Sequence, residues 1–210
     1  SPHIFGTLAG LVVGKLFKVP FILEVRDLWP DTLKDMGALK PGLLSKLLYI
    51  IEKKLYKESN KIIALTEGIK QIIVEKGIDP AKIVFIPNGI YLHADNGLAT
   101  VEPRELKKRL GLENKFVCVY TGAHGPANDL DVILDAASYL KAERDIVFLL
   151  VGAGQEKSRL IEKARENNLV NVMFHDPVPR SEINGYIKAS DLCILILKNI
   201  PVFNTALPNK

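Results

Sequence analysis

The residues with the most chemistry to offer stand where apolar runs end. The richest stretch is Thr121-Gly122-Ala123-His124-Gly125-Pro126-Ala127, which follows the apolar run Phe116 to Tyr120. Glycines let backbone N–H groups approach a ligand, and a helix N-terminus carries partial positive charge. Together they favour a phosphate or diphosphate. His124 adds a further donor, and Asn128 with Asp131 is the expected cap of the helix that follows. The same residues also read as a plain turn joining strand to helix. A second loop, Gly152-Ala153-Gly154, ends the run Ile146 to Val151. Lys157 stands where a dinucleotide fingerprint has its third glycine, so the loop either meets a ligand or only turns. Arg26 and Asp27 close the run Phe21 to Val25, as site residues or as a surface ion pair. His3 either caps the first helix or takes part in chemistry.

These loops need elements to position them. The apolar segment Ile4 to Phe17 reads as a buried helix, with Gly6, Gly10 and Gly14 allowing close approach. It is too short to span a membrane. Strands are expected over 21–25, 60–65, 82–86, 116–120, 146–151, 170–174 and 192–197. Helices are expected over 41–57, 66–76, 103–110, 128–140, 155–167 and 180–188. Thr66 suits an N-cap and Gly77 a helix stop. Alternating strands and helices, with strands apolar throughout, imply parallel sheets covered on both faces. The irregular stretch after Pro87-Asn88-Gly89 divides them. The expectation is α/β, with two Rossmann-like units, each incomplete: residues 1–88, a linker over 89–98, and residues 99–210. Ligands in such sheets bind beyond the C-terminal ends of the strands.

Composition narrows the function. The chain has 210 residues, 28 Lys and Arg against 24 Asp and Glu, and a net charge of +4. The charges are interleaved, so no nucleic-acid partner is expected. Cys118 and Cys193 are the only cysteines. They exclude a disulfide scaffold and a cysteine metal cluster, and their apolar surroundings predict buried free thiols. No G-x4-G-K-[ST], H-E-x-x-H or G-x-S-x-G occurs, which counts against P-loop NTPases, zincins and α/β-hydrolases. The helix from Pro41 carries Leu43, Leu44, Leu47, Leu48, Ile51 and Leu55 on one stripe, with Lys46, Lys53 and Lys57 beside it. It is either a packed helix with a solvated rim or a contact for an anionic membrane surface. The ends, Ser1-Pro2-His3 and Leu207-Pro208-Asn209-Lys210, read as those of a piece of a longer protein.

Short motifs run in order along nearly the whole chain. They are Pro20-Phe21-Ile22-Leu23-Glu24-Val25-Arg26-Asp27-Leu28-Trp29-Pro30-Asp31, Ile83-Val84-Phe85-Ile86-Pro87-Asn88-Gly89, Tyr120-Thr121-Gly122-Ala123-His124-Gly125, Val151-Gly152-Ala153-Gly154, Asn171-Val172-Met173-Phe174, Ala189-Ser190-Asp191-Leu192 and Leu207-Pro208-Asn209-Lys210. In this order the chain resembles the GT-B glycosyltransferases of family 4, in the branch that builds surface polysaccharides.

The resemblance implies a retaining, metal-independent transfer of a sugar from a nucleotide-diphosphate donor to a sugar or lipid-linked acceptor. No cofactor is implied, and the setting is cytoplasmic, at the inner face of the membrane. The first unit would hold the acceptor and the second the donor. By the resemblance, Gly122, His124 and Gly125 border the diphosphate, Gly152 and Gly154 lie in the donor loops, and Pro177 and Val178 lie near the base. Phe203, Asn204 and Thr205 meet the donor sugar, and Lys210 is a cation for the diphosphate. Arg26, Asp27 and His3 face the cleft as catalytic candidates.

Two departures stand out. Where relatives carry an Arg and a Lys around the glycine loop, this chain has His124 and Asn128-Asp129. Phosphate charge then falls to His124, Lys210, backbone amides or residues elsewhere. The ribose-holding Glu-x7-Glu motif of relatives is also absent, so these residues alone are expected to be inactive. A GT-B sugar-nucleotide epimerase is the nearest alternative enzyme, though it would have no use for a basic amphipathic helix. A non-catalytic partner or binding subunit is the other.

Overall fold

The computed structural model describes residues 4–89 and 102–208. His3, Lys210 and most of the expected linker therefore lie outside the described residues. The chain is α/β with two parallel sheets, in two compact units.

The first unit comprises residues 4–89 together with 199–208. Its strands β1 (Ile22–Val25), β2 (Lys61–Ala64) and β3 (Ile83–Phe85) pair in parallel in that order. Leu23, Ile62 and Ile83 share a register row and are buried. The adjacent row, Glu24, Ile63 and Val84, is only partly covered. Strand residues alternate in face, so here one face is buried and the other open, not both as expected. Helix α1 (Ile4–Leu16) buries Ile4, Thr7, Leu11 and Gly14. A Cβ at Gly10 or Gly14 would lie 3.3 or 3.4 Å from Phe21, while Gly6 meets nothing. Only two of the three glycines therefore serve close approach. A short helix α2 (Asp31–Asp35) lies outside the expected helices, and α3 (Leu43–Glu58) begins two residues after Pro41. Helix α4 (Glu67–Glu75) has the expected cap: the Thr66 hydroxyl accepts the Ile69 N–H at 3.0 Å, and Gly77 takes φ 84°.

The second unit comprises residues 102–198. Helix α5 (Pro103–Arg109) leads into β4 (Phe116–Thr121), α6 (Asp131–Tyr139), β5 (Ile146–Val151), α7 (Lys157–Glu166), β6 (Val172–His175), α8 (Arg180–Lys188) and β7 (Leu192–Cys193). The strands are parallel in the order β6-β5-β4-β7. Both faces are packed. Cys118, Tyr120, Phe148 and Leu150 meet Ile133, Leu134 and Leu160 on one side. Val117, Val119, Val147 and Leu149 meet Leu106 and Tyr186 on the other. Strand β7 pairs with β4 over two residues only, far short of the expected 192–197. Cys193 is consequently exposed while Cys118 is buried, which corrects the expectation for one of the two thiols.

Residues 199–208 form a short 3₁₀ turn, Pro201–Thr205, that packs within the first unit. Val202 is buried in that unit's core and Phe203 packs against it. The Asp35 carboxylate accepts the Val202 N–H at 3.0 Å, and the Thr66 hydroxyl donates to the Thr205 carbonyl at 2.6 Å. The single boundary expected near residues 89–98 thus misses a return of the chain. Gly68 makes room for it: a Cβ there would stand 2.7 Å from the Thr205 Cβ. Ala normally stabilises a helix over Gly by about 0.5–1 kcal/mol. Gly68→Ala should reverse that sign, lowering stability by about 1 kcal/mol or more. Thermal melting of the variant checks this, and a raised melting temperature would contradict it.

Candidate functional site

The β4–β5 register sets Thr121 opposite Val151, so the loops after both strands leave the sheet side by side. Gly122 and Gly152 take φ 151° and 152°, a region that favours glycine. A Cβ on Gly152 would collide with the Gly122 carbonyl oxygen, and one on Gly154 with the His124 carbonyl. The His124 N–H donates to the Ala153 carbonyl at 2.8 Å, and the Glu156 N–H to the His124 carbonyl at 3.0 Å. Gly152 and Gly154 are thereby accounted for by the contact between the loops.

His124 is fully buried, with its ring 6.0 Å from that of Tyr120 and 6.2 Å from that of Phe174. Neither ring nitrogen has a hydrogen-bond partner among the described residues. Burial first, and the Lys157 ammonium second, push its pKa from 6.5 down to about 4. The expectation that His124 helps neutralise phosphate is corrected: at neutral pH its ring carries no charge.

Lys157, in the third-glycine position, locks the loops. Its ammonium donates to the Gly152 carbonyl at 3.0 Å, to the His175 carbonyl at 2.9 Å and to the Asp176 carboxylate at 2.7 Å. Helix α6 starts at Asp131 and not at Asn128, because Asp129 adopts φ 45° and breaks the helical run. Asp131 caps nothing. Its carboxylate holds Arg159 at 2.5 and 3.1 Å and Lys163 at 2.7 Å. Hydrogen bonding to Arg159, against the cost of burial and with help from Lys163, lowers its pKa to about 2. Arg159 also donates to Glu156 at 2.7 Å.

A polar pocket opens beside this cluster, lined by Gly125, Pro126, Asp129, Asp131, Glu156, Arg159 and Lys198 among others. The Lys198 N–H donates to the Ala127 carbonyl at 2.9 Å, which brings the loop after β7 against the loop after β4. The sheet order reverses between these two strands, and that is where open α/β sheets bind ligands. Among the described residues the Lys198 ammonium enters no ion pair, whereas Lys157, Arg159 and Lys163 all do. Pro177 is exposed and Val178 packs against the core near Tyr186. Phe203, Asn204 and Thr205 belong to the first unit's packing.

In the first unit, Arg26 pairs with Glu24 at 2.8 Å on the surface, and not with Asp27. Asp27 lines a pocket at the C-terminal end of β1, with Glu24, Thr7, Trp29, Glu52 and Tyr56. Glu52 was missed by sequence reasoning. It is 5% exposed, accepts from the Tyr56 hydroxyl at 3.0 Å and from Lys76 at 2.5 Å. Burial pushes its carboxyl up, against the pull of Lys76. The signal was an acid in the apolar stripe, between Leu48 and Leu55.

Comparisons with known proteins decide the family. Residues 1–93 match the family model Glycosyltransferase Family 4, and residues 102–199 match the model Glycosyl transferases group 1. The chain belongs to the family 4 glycosyltransferases. It is 24% identical to WcaI of Escherichia coli (strain K12), whose name assigns it to colanic acid biosynthesis as a glycosyl transferase. That match covers 100% of this chain and 52% of the relative. It is also 24% identical to WbjE of Pseudomonas aeruginosa, named as a glycosyltransferase, over 90% of this chain and 47% of the relative. The chain thus spans about half the length of the curated relatives it matches. Among solved structures, Anabaena Alr3699/HepE in complex with UDP-glucose superposes with a TM-score of 0.73 at 16% identity, covering 93% of this chain and 51% of that one. WaaG, a glycosyltransferase involved in lipopolysaccharide biosynthesis, gives 0.61 at 18% identity, covering 84% and 50%. These likenesses show the GT-B type of fold.

Two predictions concern these loops. Gly152→Ala should cost about 2 kcal/mol or more, from the positive φ and the collision with Gly122; urea unfolding measures it, and unchanged stability would break the loop account. For His124, the folded state binds fewer protons than the unfolded state between pH 6.5 and about 4. Its contribution is therefore present above pH 6.5 and is lost as pH falls through that window, by up to about 3 kcal/mol. His124→Phe should flatten this part of the stability–pH curve, and an unaltered slope would contradict the burial of a neutral ring.

Proposed function

We propose that the protein transfers a sugar from a nucleotide-diphosphate donor to a sugar or lipid-linked acceptor, with the second unit holding the donor. The observation that carries the reading is the reversal of strand order at β4 and β7, with a glycine loop and an unpaired Lys198 at its mouth. Solved relatives of like fold carry UDP and UDP-glucose, which supports a nucleotide sugar as donor. Gly122 and Gly125 border the diphosphate through the backbone, and Pro177 and Val178 lie toward the base. Lys198 supplies the positive charge that His124 does not. Departure of the nucleotide diphosphate builds negative charge at this point, and a fixed ammonium stabilises it. Transfer is retaining and independent of metal, by the family resemblance, and takes place at the cytoplasmic face of a membrane.

The first unit receives the acceptor at the pocket beyond β1. Asp27 and Glu24 present carboxylate oxygens there, and Trp29 an aromatic surface. Carboxylates accept hydrogen bonds from hydroxyl groups, and an aromatic surface suits the apolar side of a sugar ring. Phe203, Asn204 and Thr205 serve the donor sugar in the resemblance, and their anchorage in the first unit ties that segment to α2 and α4.

The test is calorimetric titration with UDP-glucose and UDP. Lys198→Ala should weaken both by about 10–100-fold, the range for a lost charge-assisted hydrogen bond. Affinity unchanged by the substitution would remove Lys198 from the donor site. Turnover of the sugar nucleotide without any acceptor would favour the epimerase reading.

A further inference from the structure

Besides Glu24 and Asp27, the pocket beyond β1 has a third carboxylate in its lining, Glu52 of α3. Both hydrogen bonds to this buried carboxylate, from Lys76 and from the Tyr56 hydroxyl, fall on Oε1. Oε2 receives none from the described residues, although each carboxylate oxygen can accept two. Lys76 does not serve Glu52 alone, because it also pairs with Asp31 at 2.6 Å. Arg26 pairs with Glu24 from outside the lining. Asp27 enters no ion pair among the described residues. The rest of the lining is Thr7, Trp29, Tyr56 and apolar side chains, so the wall carries three acids and no cation. Buried charge is costly unless it is paired and hydrogen-bonded, and burial already pushes the Glu52 carboxyl up. Among the described residues no three acids, histidines or cysteines are grouped so as to hold a metal ion. The positive charge that suits this wall is therefore one carried on a larger ligand, whose other groups reach the remaining acids.

We propose that the acceptor is an amino sugar, held through its ammonium group at Glu52 Oε2, and that Glu52 sets this preference. The inference rests on the reading that the first unit receives the acceptor. An ammonium donates charge-assisted hydrogen bonds, about twice as strong as neutral ones. Asp27 and Glu24 accept from the ring hydroxyls, and Trp29 offers an aromatic face that attracts a cation. A neutral hydroxyl at the same place satisfies Oε2 but leaves its charge unmet, and an acetylated amine does the same. A uronate or phosphate brings a like charge to three acids and is repelled.

Amide chemical-shift titration of the full chain tests this, with the methyl glycosides of glucosamine, N-acetylglucosamine, glucose and glucuronic acid as probes and no nucleotide present. The glucosamine glycoside should bind at least about tenfold more tightly than the other three, the range for a charge-assisted hydrogen bond. Its shifts should fall at Asp27, Trp29 and Glu52. Glu52→Gln keeps the size of the side chain and an acceptor for Lys76 and Tyr56. It should bring the glucosamine glycoside down to the affinity of the glucose glycoside, which itself stays unchanged. Asp27→Asn alters an exposed carboxylate that holds no ion pair, so it tests the same preference without burdening the fold, and should also weaken the glucosamine glycoside selectively. Equal affinity of the four glycosides at these residues would overturn the amine preference while leaving the acceptor pocket in place. Shifts away from the pocket for every glycoside would overturn both. A preference that survives the two substitutions would overturn the role of Glu52.

Discussion

The parallel register of β4 and β5 is the constraint from which the second unit's working end follows. It delivers two loops to one place, where their backbones touch and no side chain fits between Gly122 and Gly152. The hydrogen bonds through the His124 backbone fix one loop upon the other. Its ring is carried inward as a consequence, between Tyr120 and Phe174, in a place where an imidazolium would be unsolvated. A histidine in a glycine loop thus ends as a neutral part of the core.

Charge at the strand ends is distributed by the same geometry. Asp131 gathers Arg159 and Lys163, and Lys157 is held by two carbonyls and Asp176. These cations stabilise the junction of loops and helices, so they are not at liberty to meet an anion. Lys198 differs because it follows a strand that pairs over only two residues and then leaves the sheet. The early end of β7 is what lets the loop after it, through Lys198, form a wall of the pocket.

Much of this was legible in the sequence, for local reasons. Strand β5 and helix α8 lie where expected, because an unbroken apolar run and an amphipathic run opened by a proline each have one solution. The glycine loops, their order and the family resemblance were legible too. What escaped depends on contacts distant in sequence. The start of α6 was shifted by the left-handed backbone of Asp129, which no pattern of apolar residues encodes. Glu52 was hidden because its partner Lys76 lies at the C-terminal end of another helix, α4. The stripe on α3 has the period of a packed helix, but period alone does not say which side finds a neighbour. The return of residues 199–208 to the first unit rests on Asp35, Thr66 and Gly68, more than a hundred residues away in the chain.

The central claim is that the nucleotide sugar binds at the strand-order reversal of the second unit. Amide chemical-shift mapping of the protein titrated with UDP-glucose tests it most directly. The account predicts saturable shifts at Gly122, Gly125 and Lys198, with Glu52 and Lys76 of the first unit's network unmoved. Shifts confined to the pocket beyond β1, or none at saturating ligand, would contradict it.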